Sequence, residues 1–270
     1  MSEISKRITT GLLIVAIMVL TALAGTRIFV FTILLLNLLC VNEFYKLFHT
    51  YSPKRMWGIF FSAGTFVLMM LFSLKIFTWE VLLLIIPLGF SLFVSELYTR
   101  SERPFIRLGI TFLATIYITV PALFLANLPM LPFEGNSFHS HYVLGLYFLV
   151  WAHDSGAFAT GKLIGKHPLF SRISPKKTRE GSAGGALSAM TIAYLLSLFY
   201  TEMSLMDWML VSAIVIVAGT FGDFIKSLLK RSLHVKDSGT SLPGHGGFLD
   251  RFDALLSSVP FVFVYILLMN

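Results

Sequence analysis

Long apolar stretches, separated by short polar ones, make up most of this chain. Their residues are mainly Leu, Ile, Phe and Val, without the two-residue alternation of lipid-facing barrel strands. A helix of about 20 apolar residues crosses the hydrocarbon layer of a bilayer and satisfies its own backbone hydrogen bonds in lipid. The pattern therefore predicts an all-α polytopic membrane protein with about nine transmembrane helices. The apolar segments lie at residues 8–25, 28–48, 56–74, 76–98, 105–129, 142–165, 183–201, 206–228 and 252–269.

The composition agrees with this prediction. Of the 270 residues, 56% are hydrophobic and 13% are charged, whereas a soluble domain has about 25% charged residues. Nine spanning helices would use about 180 residues, which leaves no room for a separate soluble domain. Cys40 is the only cysteine, so a disulfide scaffold is excluded.

The basic residues fall almost entirely on one side of the predicted membrane helices. With nine spans, the N-terminus and every second loop contain all of the 21 lysines and arginines except Arg27 and Lys75. Because cytoplasmic loops are enriched in Lys and Arg, the N-terminus is predicted to be cytoplasmic and the C-terminus to lie outside. The net charge of +7 is thus mainly a sign of orientation, and it also suits contact with anionic lipid head groups.

Acidic residues in the apolar segments differ between the two halves of the chain. Glu43, Glu80 and Glu96 lie near segment ends, where an interfacial position is expected. Asp154 falls inside the sixth segment, and an ionised Asp at the bilayer centre costs roughly 2.5–3.5 kcal/mol. Such a residue usually faces a wet cavity or a partner, and a protonated Asp that hydrogen-bonds to a neighbouring helix is the alternative.

The stretch from Gly156 to Lys162 fits the phosphate-binding pattern G-x-x-x-x-G-K. That pattern requires a Ser or Thr after the lysine and a strand before the loop, whereas Leu163 follows here and the stretch continues an apolar segment. We therefore interpret the match as chance and expect Gly161 and Gly165 to allow close helix packing.

Residues 171–185 combine basic side chains with glycines. The glycines let backbone amides approach a ligand, and cations together with exposed amides suit phosphate groups. Pro175 and Gly181 argue against a regular helix in this stretch. An ordinary positively charged cytoplasmic loop is the alternative. Four consecutive residues offer three cations and a hydroxyl: Lys176, Lys177, Thr178 and Arg179.

Carboxylates recur near the predicted cytoplasmic boundary of the last two segments. Asp223 and Lys226 are three residues apart, as are Asp250 and Asp253, so each pair shares one face of a helix. Carboxylates beside basic residues suit hard divalent cations held between the protein and substrate phosphates. An ion-paired loop, for example with Asp250 bound to Arg251, is the alternative.

Three motifs within residues 150–255 resemble the signature of the phosphatidate cytidylyltransferases, also called CDP-diacylglycerol synthases. The longest runs from Ser227-Leu-Leu-Lys230-Arg231 through Val235-Lys236-Asp237-Ser to Leu242-Pro-Gly-His245-Gly246-Gly247-Phe-Leu-Asp250-Arg251-Phe-Asp253. The other two are Ser174-Pro-Lys-Lys-Thr178 with Glu180-Gly181, and Gly222-Asp223. Arg179 stands where an aromatic residue is frequent in that family, a departure that does not touch the expected chemistry.

The resemblance implies that CTP and phosphatidic acid give CDP-diacylglycerol and pyrophosphate with the help of magnesium. Asp223 and Asp250 would be the first magnesium ligands, Asp253 and Asp154 supporting or alternative ones, and a second cation is compatible with this set. Three lysines would stabilise the charge that develops on pyrophosphate: Lys176, Lys177 and Lys226. Substrate contacts are expected from Ser174, Thr178, Arg179, Lys230, Arg231, Lys236, Asp237, His245, Gly246, Gly247 and Arg251.

Because polar residues enter the apolar segments mainly in the second half, we expect one integrated membrane domain, with scaffold helices in residues 1–140 and a catalytic region in residues 141–270. By the placement of the basic residues, its active site would face the cytoplasm, and the membrane is expected to be a bacterial inner membrane. The expected partners are CTP, phosphatidic acid and membrane lipids, without nucleic acid. The resemblance and the glycine-lined helices together also suggest a homodimer.

Two other classes of protein stay open. A related enzyme would transfer CMP to a different lipid phosphate or to a polyprenyl phosphate, because acyl specificity would lie in Leu- and Phe-rich helices without distinctive motifs. A secondary transporter also buries carboxylates and interrupts its helices with glycine, but its two halves should show similar interruptions, and here they crowd into the second half.

Overall fold

The computed structural model describes residues 3–131, 138–235, 238–239, 241–242 and 246–269 of the chain. Within them the backbone is almost entirely helical. A short antiparallel hairpin consists of β1 (Pro168–Phe170) and β2 (Ser174–Thr178). The helices are α1 (Glu3–Leu23), α2 (Thr26–Leu47), α3 (Arg55–Ser73), α4 (Ile85–Leu97), α5 (Pro104–Ala114), α6 (Val120–Asn127), α7 (Ser140–Ile164), α8 (Arg179–Phe199), α9 (Leu205–Ser232) and α10 (Phe248–Met269).

Each predicted apolar segment coincides with one continuous helical segment. A 3₁₀ turn at Trp79–Leu84 leads directly into α4. A π-helical turn at Thr115–Thr119 joins α5 to α6, and a 3₁₀ turn at Leu128–Met130 follows, so this whole region forms one segment. The predicted all-α polytopic membrane class is thereby confirmed.

Seven helical segments in the described part of the chain are long and apolar enough to cross a membrane. In α1 the apolar stretch is shorter, and α7, which carries His153, Asp154 and Lys162, is not among the seven. The count of nine spans and the sides of the two termini therefore stay predictions. The seven segments are Thr26–Leu47, Arg55–Ser73, Trp79–Leu97, Pro104–Met130, Arg179–Phe199, Leu205–Ser232 and Phe248–Met269.

The chain divides into two compact units. The first comprises Met1–Asn127 and Asp237–Arg251, and the second comprises Leu128–Lys236 and Phe252–Asn270. Helix α10 therefore begins in the first unit and continues in the second. The expected division into a scaffold up to residue 140 and a catalytic region from residue 141 stays a prediction.

The core of the first unit surrounds α2, whose Phe29 and Cys40 are fully buried. A chain of polar side chains crosses this core. Asn37 on α2 donates to the Ser62 hydroxyl on α3 at 3.0 Å, and Ser62 shares a hydrogen bond of 2.7 Å with Thr119 in the π-helical turn. Such bonds between membrane helices contribute about 0.6 kcal/mol each, and they add direction to apolar packing.

The second unit depends on close backbone packing between α7 and α8. A Cβ atom on Gly181 would come within 2.8 Å of the Ala157 carbonyl oxygen, and one on Gly185 within 2.7 Å of the His153 carbonyl oxygen. Gly161 faces the same seam, and a Cβ atom on it would lie 3.5 Å from the Cα of Gly181. The run that resembles a phosphate-binding loop thus lies within a continuous helix and serves helix packing.

The structure corrects the expectation that Pro175 and Gly181 both prevent a helix. Pro175 lies in β2, but Gly181 belongs to the first turn of α8. The backbone N–H of Gly181 donates a hydrogen bond of 3.1 Å to the Thr178 hydroxyl. Glycine costs about 1 kcal/mol in a helix interior. Here that cost is offset because only a residue without a side chain lets α8 approach α7 so closely.

Candidate functional site

Four charged side chains of the second unit meet in what we call the charge cluster: Lys177, Asp223, Lys226 and Asp253. The ammonium of Lys226 lies 2.5 Å from Asp253 Oδ2 and 3.5 Å from Asp223 Oδ1. Lys177 forms an ion pair with the other oxygen of Asp223. Both carboxylates therefore lie beside the same ammonium group. Two cations and two anions therefore alternate around one small volume.

Small residues bring the two acidic helices of the cluster together. A Cβ atom on Gly222 would overlap the Ser257 side chain, and one on Gly219 would lie 3.3 Å from the Ser258 hydroxyl. At the far end of α9, the Tyr265 hydroxyl donates to Asp207 at 2.8 Å. These contacts hold α9 against α10 along its length, so Asp223 and Asp253 face each other.

The hairpin supplies the fourth charge. The Lys177 ammonium lies 5.3 Å from the centre of the Phe224 ring, and the rings of Phe170 and Phe224 are 5.6 Å apart. Because side chains alternate along a strand, the neighbouring Lys176 points away and is exposed. The sequence predicts equivalent roles for the two lysines, but only Lys177 reaches the cluster in this arrangement.

Burial decreases from one end of the cluster to the other. The side chains of Lys226 and Asp253 are 7% and 8% exposed, that of Asp223 is 22% exposed, and that of Lys177 is 41% exposed. Buried ions are tolerated only when they are paired, and here each inner charge has an opposite partner. A phosphate-bearing ligand would therefore approach from the side of Lys177 and Asp223.

A second carboxylate network lies in the first unit, around the described residues from Ser238 to Leu249, which we call the glycine-rich segment. Asp250 accepts two hydrogen bonds of 2.8 Å from Ser238, one from its backbone N–H and one from its hydroxyl. Gly246 has a positive φ of 84°, which favours glycine, and its carbonyl accepts from the Leu242 N–H at 2.8 Å. Three predicted substrate contacts lie outside the described residues: Lys236, Asp237 and His245.

Glu43 is the residue that sequence reasoning missed in this network. The interfacial position predicted for it stays a prediction, but its side chain is buried inside the protein with an exposed fraction of 1%, and its carboxylate accepts from the Leu249 N–H at 3.0 Å. Glu96 is likewise buried, 3.7 Å from Arg107. An acidic residue inside an apolar helical run is the only signal that the sequence offers for Glu43. Ordinary interfacial residues share that signal.

Asp154 lies apart from the ion pairs of the charge cluster. Its side chain is 61% exposed, and its nearest charged partner in the described ion pairs is His153, at 3.5 Å. This exposure does not favour the alternative in which a protonated Asp154 hydrogen-bonds to a neighbouring helix. Its supporting role as a cation ligand stays a prediction.

The remaining predicted substrate residues lie on β2, at helix ends and in the glycine-rich segment. Ser174 begins β2, and Thr178 ends it as the N-cap of α8. Arg179 is the exposed first residue of α8, while Lys230 and Arg231 lie in the last turn of α9. In the first unit, Arg251 is exposed on α10 and Gly247 is buried within the glycine-rich segment.

The donor atoms of the charge cluster suit a hard divalent cation. Among the described residues there is no group of three or more His, Cys, Asp or Glu side chains that could hold a metal by itself. Asp223 and Asp253 supply carboxylate oxygens, which Mg²⁺ prefers, and Mg²⁺ usually needs only one or two carboxylates when substrate phosphates and water complete its shell. The residues present therefore fit a cation that arrives with a phosphate ligand.

Comparison with known proteins adds independent information. A family model described as "Cytidylyltransferase family" matches residues 5–269. The chain is 41% identical over 131 residues to a phosphatidate cytidylyltransferase from Staphylococcus haemolyticus. The aligned residues make up 48% of this chain and 50% of that protein. The chain is 33% identical over 178 residues to the protein of that name from Staphylococcus aureus, 65% of each chain.

A third relative is the phosphatidate cytidylyltransferase of Bacillus subtilis. It is 36% identical over 199 residues, which cover 73% of this chain and 70% of that protein. Over the aligned regions the chain thus spans from about half to somewhat more than two thirds of the length of these relatives.

Proposed function

Because the chain belongs to the cytidylyltransferase family, we propose that it is a phosphatidate cytidylyltransferase. In this proposal CTP and phosphatidic acid give CDP-diacylglycerol and pyrophosphate. The names of its relatives support the substrate pair. The observation that carries the proposal is the charge cluster, because four ionised groups between apolar helices are costly and usually mark a functional site.

The reaction joins two anions. An oxygen of the lipid phosphate attacks the α-phosphorus of CTP, the new P–O bond forms, and the bond between the α-phosphorus and the bridging oxygen to the β-phosphorus breaks. Pyrophosphate leaves with the electron pair of that bond. No nucleophile from the protein is required, and no general base either, because the lipid phosphate is already ionised. The protein must instead neutralise charge, align the reactants and exclude water.

The charge cluster is suited to those tasks. Lys177 is the most exposed of its cations and lies where nucleotide phosphates would enter. Lys226 is held by Asp223 and Asp253 and cannot turn away, so its charge is preorganised for the leaving pyrophosphate. Fixed charges of this kind stabilise the transition state without reorganisation during the reaction.

Enzymes of this family generally use a divalent cation, and we propose that Mg²⁺ is that cation here. When bound, it would neutralise charge on the nucleotide and lipid phosphates. Asp223 and Asp253 would hold it, since both are carboxylates of the charge cluster. The shared cation that the sequence predicts for Asp223 and Asp250 stays a prediction, as does a second cation.

The orientation of the proposed active site follows from charge placement. The C-terminal part of α9, the start of α8 and the hairpin all adjoin the basic stretches of the second half of the chain. The tendency of such stretches to stay in the cytoplasm supports a site that faces the cytoplasm, where CTP is found, in a bacterial inner membrane. Cysteines introduced near Lys54 and Lys177, with Cys40 removed, should resist an impermeant thiol reagent added to intact cells. A cysteine at Ser137 should react.

Homodimer formation stays a prediction with weaker support than before. The glycines of α7 and α8 contact each other within one chain. They therefore do not offer a small-residue surface to a second copy, and the expectation of a dimer rests on the family resemblance.

Purified protein, labelled CTP and a panel of lipid phosphates provide the direct test. We expect label in a lipid product and release of pyrophosphate with phosphatidic acid. Label transfer to a polyprenyl phosphate but not to phosphatidic acid would support the related-enzyme alternative. Absence of any labelled lipid would contradict the proposal, and solute uptake by vesicles that contain the protein would then support a transporter.

A further inference from the structure

Glu43 is a buried acid for which the proposed reaction has no role. It lies on α2, whose buried residues are mostly apolar, and 1% of its surface is exposed. Its Oε1 atom has no hydrogen-bond partner among the described residues. Burial of a carboxylate without full hydrogen bonding is unfavourable. A residue of this kind needs an explanation beyond the packing of α2.

The other oxygen of Glu43 binds the start of α10. Oε2 accepts a hydrogen bond of 3.0 Å from the Leu249 N–H, across 206 positions of sequence. Leu249 is the second residue of α10, and the first four N–H groups of a helix have no partner within the helix. A negative side chain at this end also interacts favourably with the helix dipole. Glu43 therefore acts as a distant cap that determines where α10 begins.

The same carboxylate shapes the glycine-rich segment. A Cβ atom on Gly247 would lie 2.5 Å from Glu43 Oε2 and 2.5 Å from the Ser238 hydroxyl. One on Gly239 would lie 2.9 Å from Glu43 Oε1. Both distances are shorter than real Cβ contacts, so the backbone at these two positions lies directly against the carboxylate. The position of the Glu43 carboxylate thus requires a glycine at residue 247, whether or not Gly247 also contacts substrate.

Asp250 holds the segment from the opposite direction. It follows Leu249 on α10, and its Oδ2 accepts from the backbone N–H and the hydroxyl of Ser238. Glu43 and Asp250 thus hold the two ends of the glycine-rich segment against the first turn of α10. A shift of that turn would move the Asp250 carboxylate and Ser238 together.

We propose that Glu43 is a positioning residue for the reaction, acting through Leu249 and the glycine-rich segment on the placement of Asp250. The inference rests on the proposed function, and Glu43 itself touches neither substrate in it. Misplacement of catalytic groups by about 1 Å can cost on the order of 10²-fold in rate. A cap that selects one start for α10 prevents such a shift.

The first test compares Glu43→Ala with Glu43→Gln in the purified full-length protein. Ala removes the acceptor and should lower kcat/KM for CTP by about 10- to 100-fold, mainly through a higher KM and a higher magnesium requirement. Gln keeps an acceptor oxygen for the Leu249 N–H and should retain at least about a third of the wild-type value, because the hydrogen bond that caps α10 is still made.

A second readout does not depend on turnover. In protein free of CTP and divalent cations, Glu43→Ala should speed amide hydrogen exchange at Leu249 and in the peptide around Ser238. The matched control is Glu96→Ala, which removes another buried glutamate of the same unit, paired with Arg107. That variant should lower thermal stability yet leave exchange at Leu249, the KM for CTP and the magnesium requirement unchanged.

A double-mutant cycle tests the contact itself. Gly239→Ala should reduce activity about as much as Glu43→Ala, because the added methyl would lie 2.9 Å from Glu43 Oε1 and displace the carboxylate. In the double variant the carboxylate is absent. The fold-loss of activity that the glycine substitution causes in Glu43→Ala should therefore be less than half of the fold-loss that it causes in the wild type. Additive losses would contradict direct coupling, since independent sites add and contacting sites do not.

The outcomes separate this inference from the proposed function. If the wild-type protein forms no CDP-lipid from CTP and phosphatidic acid, the proposed function fails, while the exchange measurement still decides whether Glu43 caps α10. If the wild type is active, Glu43→Ala with unchanged kinetics overturns the inference, as do equal kinetic losses in Glu96→Ala. Should Glu43→Ala not fold, Glu43→Gln and Gly239→Ala take its place: loss of activity in Gly239→Ala with full activity in Glu43→Gln supports the inference, and full activity in Gly239→Ala contradicts it.

Discussion

The protein contains two networks of buried carboxylates that are stabilised in different ways. In the charge cluster of the second unit, Asp223 and Asp253 are neutralised by the ammonium groups of Lys226 and Lys177. In the first unit, Glu43 and Asp250 accept hydrogen bonds from backbone N–H groups and a hydroxyl. The first arrangement balances ionic charge, whereas the second arrangement fixes the course of the backbone.

The two kinds of interaction suit the two networks to different tasks. Ion pairs are non-directional, and a phosphate or a divalent cation that enters the cluster can take over the role of either partner. Hydrogen bonds to backbone N–H groups are directional and would have to break for the chain to move. We therefore assign ligand exchange to the charge cluster and positioning to the network around Glu43.

The largest expected effect comes from the carboxylates that would hold a cation. Asp223→Asn and Asp253→Asn keep size and polarity but remove a charge, and each should lower CDP-lipid formation by at least roughly 10³-fold, because a bound cation supplies several kcal/mol of charge stabilisation. Both should still assemble in detergent, as judged by size-exclusion chromatography. Asp154→Asn, whose side chain is 61% exposed, should lose less than about tenfold. Full activity of either of the first two variants would remove the cation assignment.

Removal of divalent cations is the next test. Activity of the wild-type protein should disappear in chelator and return when magnesium is added, since the two carboxylates add negative charge to that of the substrate phosphates and a cation is needed to balance both. The thermal unfolding temperature should change little, because Lys177 and Lys226 pair with the carboxylates when no cation is bound. Turnover that persists in chelator would mean that the cluster is a structural ion-pair network.

The two lysines of β2 should differ from each other. Lys177→Ala should lower kcat/KM for CTP by about 10²- to 10³-fold, the usual cost of losing one positioned cation or donor at a charged transition state. Lys176→Ala should lower it by less than about tenfold, because Lys176 is exposed on the opposite side of the strand. Steady-state kinetics at limiting CTP measure both values. Equal losses would contradict the assignment of Lys177 to the cluster.

The smallest expected effect concerns the cap of α8. Thr178→Ala should reduce the free energy of unfolding by about 1 kcal/mol, because its hydroxyl accepts from the Gly181 N–H at 3.1 Å. The KM for CTP should stay within about twofold of the wild type if capping is its role. Thr178→Ser keeps the hydroxyl and serves as the control. A large rise in KM with unchanged stability would return Thr178 to the substrate-binding residues.

The sequence by itself determined the fold class and the approximate ends of every apolar segment. Both follow from local chemistry: a helix in lipid must satisfy its own backbone, so a run of about 20 apolar residues has few alternatives. The motifs that contain Lys177, Asp223 and Asp253 drew attention to charges that the structure brings together, because charges within apolar surroundings are rare. Their spacing on α9 predicted correctly that Asp223 and Lys226 share a face.

Which of these charges come into contact depends on the tertiary structure and does not follow from local sequence. The distinction between Lys176 and Lys177 depends on a hairpin that Pro175 and its neighbours form against Phe224, and no local pattern predicts that contact. The position of Gly181 within α8 depends on the approach of α7. Glu43 and Leu249 are separated by 206 residues, so their hydrogen bond forms only when α2 and α10 are already packed. Local sequence determines which helices form, whereas long-range packing determines which side chains come together.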